Sequence, residues 1–222
     1  MIDWLARLLR SSIGRKTGMA LSGLLLTGFV ITHLLGNLTL LKSNEAFNAY
    51  AQKLEDMGPL LTVAELGLLG LFVFHIVLAL LVSLRSKGAR SQGYRVSASA
   101  GQKTLGSSTM RITGILVLLF LAVHIWDFRF QKLIGAEGAH DLGALVHARL
   151  TSPVGMGIYI LSAILLGLHL SHGFKSAFQT LGLRHNKFNG TIAFVGVALS
   201  IALALGFALI PVALSLGMGG SN

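Results

Sequence analysis

The sequence predicts an all-α integral membrane protein, a single membrane domain over 1–222 with five transmembrane helices and a cytoplasmic N-terminus. Three observations predict it. Hydrophobic residues make up 53% of the 222 positions and charged residues 12%, with a mean hydropathy of +0.74, values outside the range of soluble domains. Charge-poor stretches recur at the length of about 20 residues that a helix needs to cross a hydrocarbon core. The basic residues gather in alternate connections, as topology requires.

The spans run over about 17–41, 60–84, 111–133, 153–181 and 191–216. The third is the shortest, free of charge from Ile112 to Trp126, and it reaches both interfaces through Arg111 and Asp127 at its ends. The first follows Arg7, Arg10, Arg15 and Lys16 in the manner of a secretory leader, but it has full spanning length and no small-residue cleavage pattern, so it reads as a retained helix.

Orientation follows from the charges. Before the first span, between the second and third, and after the fourth lie Arg7, Arg10, Arg15, Lys16, Arg85, Lys87, Arg90, Arg95, Lys103, Arg111, Lys175, Arg184 and Lys187, against the acid Asp3. The other side carries Lys42, Lys53, Arg129, Lys132 and Arg149 against Glu45, Glu55, Asp56, Glu65, Asp127, Glu137 and Asp141. The basic side is the cytoplasmic one. The segment 86–108 is a solvated, topology-setting loop or a dock for a soluble partner. The net charge of +10 does not point to nucleic acid, because the bases lie between apolar segments rather than along one solvated face. The absence of cysteine excludes disulfides, thiolate metal sites and iron–sulfur ligation on this chain.

Of eight histidines, His140, His147 and His185 fall in connecting loops. His33, His75, His124 and His169 each sit inside a different span, where an ionisable group is costly without a partner. The first and third spans run outward and carry His33 and His124 past their midpoints; the second and fourth run inward and carry His75 and His169 past theirs. At 1.5 Å per residue this makes two tiers, His33 with His124 toward the outside and His75 with His169 toward the cytoplasm. Two imidazoles fill both axial positions of a haem iron, which suits electron transfer, so the bundle is expected to enclose two haems of b type. Zinc, the rival metal, wants four ligands at one depth.

A faint repeat supports the tiers: His33 and His75 are 42 residues apart, His124 and His169 are 45 apart, and the fifth span has no counterpart. Ser22 and Thr113 each lie eleven residues before the histidine of their own span, three turns along the same face and level with the inner tier. They are candidates for haem propionates or for the second ring nitrogen of the inner ligands, with back-bonding to their own helix as the alternative. Gly23, Gly28, Gly70, Gly114 and Gly167 fit close porphyrin approach or ordinary helix packing alike. His172 shares a face with His169 and competes for its role; it lies nearer the interface with Lys175, where both are candidates for a propionate or quinone contact. Glu65, at the outer end of the second span, is the candidate proton group of a quinone site, or else a carboxylate in water.

These residues resemble the di-haem cytochrome b membrane subunit of succinate:quinone oxidoreductases, the succinate dehydrogenases and quinol:fumarate reductases. The likeness covers nearly the whole chain. It rests on one ligand in each of the first four of five spans, on Thr32-His33 followed by Asn44-Glu45-Ala46-Phe47-Asn48, on His124-Ile125-Trp126-Asp127-Phe128-Arg129, and on His169-Leu170-Ser171-His172-Gly173-Phe174.

The resemblance implies that His33 and His124 hold a distal haem and His75 and His169 a proximal one. It implies partners too: a flavoprotein subunit with FAD, an iron–sulfur subunit, membrane lipid, and a quinone, menaquinone being the expected one, in a bacterial cytoplasmic membrane. The dicarboxylate chemistry then lies on those partners. Some fumarate reductases of the family carry a proton-conducting glutamate two residues before the fourth ligand; Gly167 stands there in this chain. The competing readings are a di-haem cytochrome b serving another soluble dehydrogenase and a histidine-based proton or metal transporter.

Overall fold

A computed structural model describes residues 11–88, 105–135, 141–183, 185 and 187–219. The expectations placed on Asp3, Arg7, Arg10, Arg90, Arg95, Lys103, Glu137, His140, Arg184 and most of the segment 86–108 lie outside the described residues.

Helix α1 (Ser12–Asn37) starts at Ser11, whose hydroxyl accepts from the Gly14 N–H at 2.9 Å and so satisfies one of the unpaired donors of the first turn. It runs on through a 3-10 turn, Leu38–Leu41. A short helix α2 (Asn44–Glu55) is capped by Ser43. Gly58, at φ +56°, turns the chain into α3 (Pro59–Gly88), a left-handed conformation that a side chain disfavours. Helix α4 (Leu105–His124) passes into a π-helical stretch, Ile125–Phe130, and ends in Gln131–Leu133. A second short helix, α5 (Leu142–Thr151), is capped by Asp141. Ser152 as N-cap and Pro153 in the first turn open α6 (Pro153–Thr180), the arrangement proline's missing N–H and fixed φ favour. The last helix is α7 (Asn189–Ser215).

Five stretches are long and apolar enough to cross a membrane: Ser12–Leu41, Pro59–Leu84, Ser108–Leu133, Pro153–Thr180 and Asn189–Ser215. The first begins five residues earlier than the sequence suggested, because α1 takes in Arg15 and Lys16. Two connections expected as loops are helical instead, and His147 lies in α5 rather than in a loop. Both short helices carry apolar residues on one face, and they lie together across one end of the bundle. Leu40, Phe47, Val146, Leu150, Ile210 and Leu214 form a core there, joined by Leu34, Phe128 and Tyr159. Asn48 holds the two together, donating to Asp141 at 2.7 Å and accepting from the Gly143 N–H at 2.8 Å. This is the end expected to face outward.

The long helices are unevenly packed. Helices α1 and α6 touch each other, and both touch α7; α3 packs on α1, and α4 on α6. Among the described residues α3 and α4 make no extended contact with each other, and they are the most exposed of the spans. Arg129 to Glu65 (2.7 Å) joins the outer ends of α4 and α3, and Lys132 pairs with Glu55 of α2. The four histidine-bearing helices thus make a ring of four with one side unpacked, and α7 lies against the opposite side.

Candidate functional site

His33 on α1 and His124 on α4 face each other across a diagonal of that ring, with ring centroids 5.7 Å apart and planes at 89°. His75 on α3 and His169 on α6 lie on the other diagonal. The described residues contain no cluster of three or more histidine, cysteine or acidic side chains able to hold a metal ion; the imidazoles occur as two pairs. Two axial metal–imidazole bonds of about 2 Å set ring centroids about 6 Å apart. The outer pair has that spacing. His33 and His124 therefore fit one bis-histidine haem, and His75 and His169 supply a second pair of imidazoles.

The inner pair is built twice by the same local device. The Ser22 hydroxyl is 3.0 Å from His75 Nδ1, and the Thr113 hydroxyl is 3.5 Å from His169 Nδ1. Each hydroxyl is buried, at 2% exposure, and must find partners. Ser22 lies 3.1 Å from the Met19 carbonyl, and Thr113 lies 3.1 Å from the carbonyls of Thr109 and Met110. With each hydroxyl proton given to its carbonyl, the hydroxyl oxygen can accept from the imidazole. Both inner rings then carry their proton on Nδ1 and present an Nε2 lone pair for a metal.

The adjoining glycines set the distance. A Cβ on Gly23 would stand 3.2 Å from His75 Cε1, and one on Gly114 would stand 3.3 Å from His169 Cε1. Of the other glycines singled out, Gly28 and Gly70 face open space, whereas a Cβ on Gly167 would meet Ala204 at 2.8 Å and the Ser200 carbonyl at 3.2 Å. Gly167 thus lets α6 and α7 approach. His172 is half-buried, and no described residue hydrogen-bonds its ring. Lys175 lines a cavity of about 260 Å³ with Phe178, Gln179 and Asn189, between α6 and α7.

The outer pair is held differently. His33 stacks on Phe29 at 5.3 Å and lies 6.0 Å from Phe207. His124 has Phe120 and Phe128 beside it and the Tyr159 hydroxyl 3.5 Å from Nδ1. Tyr159 donates to Asp127 Oδ2 at 3.0 Å, and Arg149 Nε donates to the same oxygen at 2.8 Å. Sequence reading did not connect these three. The π-helical turn after His124 aims Asp127 inward and Arg129 outward, and wide turns of this kind occur at functional sites. Asp127 and Arg149 also line an open cavity of about 300 Å³ with Trp126, Gln131, Leu145 and Ala148. Glu65 lies apart from it, in the exposed pair with Arg129.

The chain is similar to the succinate dehydrogenase cytochrome b558 subunit of Bacillus subtilis (strain 168), with 28% identity over 160 residues, covering 70% of this chain and 72% of that protein. No protein-family model matches the chain, and no solved structure is a significant match.

Proposed function

We propose that this integral membrane protein is the di-haem cytochrome b anchor subunit of a succinate:quinone oxidoreductase. On this reading it accepts electrons from an iron–sulfur subunit, itself served by a flavoprotein, and exchanges them with membrane quinone. The carrying observation is the facing of His33 and His124 at 5.7 Å, with His75 and His169 as a second pair on the other diagonal. The likeness to the Bacillus subtilis subunit supports the assignment to this enzyme rather than to another dehydrogenase.

His33 and His124 would hold one haem, His75 and His169 the other. Haem held by these residues would supply a one-electron couple suited to electron transfer. Ser22 and Thr113 orient the inner imidazoles, and the glycines beside them let the rings lie against backbone. The basic side, with the N-terminus, faces the cytoplasm and the soluble partners.

Quinone fits best at the outer end. The cavity beside Asp127 and Arg149 combines an apolar wall with a carboxylate, a guanidinium and the Gln131 amide, the mixture that small-molecule sites use. Glu65, already paired with Arg129 in water, has less to support it as the proton group.

Dithionite-reduced membranes containing the chain should show low-spin haem absorption, and a flavin and iron–sulfur pair with succinate:quinone activity should co-purify. His75→Ala and His169→Ala should remove one haem, His33→Ala and His124→Ala the other. A preparation without haem would move the reading to a histidine-based transporter, and a different soluble partner would move it to another dehydrogenase.

A further inference from the structure

The geometry points to Tyr159 and Asp127 as positioning residues that tune His124, and through it one iron of the two. The inference rests on the proposed ligation of haem by His124. Asp127 can only accept, so the single phenol proton of Tyr159 goes to it at 3.0 Å, and the phenol oxygen turns its lone pair to His124 Nδ1, 3.5 Å away. That holds the ring proton on Nδ1 and leaves Nε2 for the metal.

Behind this contact stands a charge that solvent screens poorly. The Asp127 side chain is 12% exposed and its partner Arg149 29%, so the carboxylate is screened less than the exposed pairs at this end. The other three histidines lack any such backing among the described residues. His75 and His169 meet neutral hydroxyls, and His33 meets aromatic rings. A carboxylate acting through a phenol makes the imidazole a stronger donor, which favours the more positive, oxidised iron and lowers its reduction potential. Arg149 donates to the same carboxylate oxygen as Tyr159 and lies beside the phenol, so it offsets part of the effect.

The test is a potentiometric titration of the haem absorption in the membrane complex, for the parent protein, Tyr159→Phe and Asp127→Asn. Tyr159→Phe removes one oxygen and keeps the ring packed between Phe120 and Phe128, so folding is preserved; Asp127→Asn removes the charge and keeps the shape. In both, the component lost in His124→Ala should move to higher potential, on the order of tenfold in its reduction equilibrium or about 59 mV for one electron. The component lost in His75→Ala should stay in place, and Asp127→Glu should restore part of the parent value. Two haem components that both stay unmoved, or that move together, would overturn the relay while leaving haem ligation intact. Absence of haem from the parent protein would instead defeat the ligation reading itself.

Discussion

His75 and His169 each rest against a glycine of a neighbouring helix beside a hydroxyl one residue before it, whereas His33 lies among phenyl rings and His124 meets a phenol backed by an ion pair. The inner tier is a duplicated device: a hydroxyl and a glycine three turns before the span's own histidine receive the histidine of the next span. Its geometry follows from helical rise and from the repeat. The outer tier is set by tertiary contacts that the repeat does not supply, so its two ligands sit in unlike surroundings. On the proposed ligation, symmetry at one pair and asymmetry at the other would make the two haem sites unlike.

The comparison breaks most visibly at the glycines. Gly114→Val or Gly23→Val should push an inner imidazole off its seat, since even a bare Cβ stands only 3.3 or 3.2 Å from the ring. The expected outcome is loss of the inner haem signal with the outer one kept. Retention of both signals would mean that the glycines pack helices and do not set the ligand. A smaller effect is expected at the hydroxyls. Ser22→Ala and Thr113→Ala each remove an acceptor but leave the Met19 or Met110 carbonyl nearby, so haem affinity at the inner tier should fall by about tenfold, measured by haem occupancy during graded detergent washing.

The smallest effect belongs to the lid of α2 and α5 over the outer end. The Ala144 N–H, and after it the Asn48 amide, hold the Asp141 carboxyl below its ordinary pKa. A depressed carboxylate stabilises fully above the unfolded value near 3.9 and loses that contribution as pH falls through the folded value. Asp141→Ala should therefore cost about 1 kcal/mol as a lost helix cap, less where water screens the charge. It should also remove the lid's sensitivity below about pH 4, as read by amide exchange in α5.

The spans were legible because a membrane crossing demands a long apolar run, and the facing of His33 and His124 because helical rise turns sequence position into depth. Ser22 and Thr113 were legible for the same reason. The short helices α2 and α5 were not read, since they are half polar and too short for a hydropathy signal. Ser43 and Asp141 as caps, with Phe47, Val146 and Leu150 on one face, were the signals that could have found them. The Tyr159–Asp127–Arg149 contact joins residues 22 to 32 positions apart across a π-helical turn, and no periodicity in the chain foretells where such a turn aims its side chains.

The unpacked flank between α3 and α4 bears on what would hold the bundle closed. Those two helices are tied at one end by surface charges and parted along the rest of their length, like the arms of a clasp. On the proposed reading, the haems held by His75 of α3 and His124 of α4 would tie these two arms to α6 and α1 from inside the bundle, where α3 and α4 make no extended contact with each other.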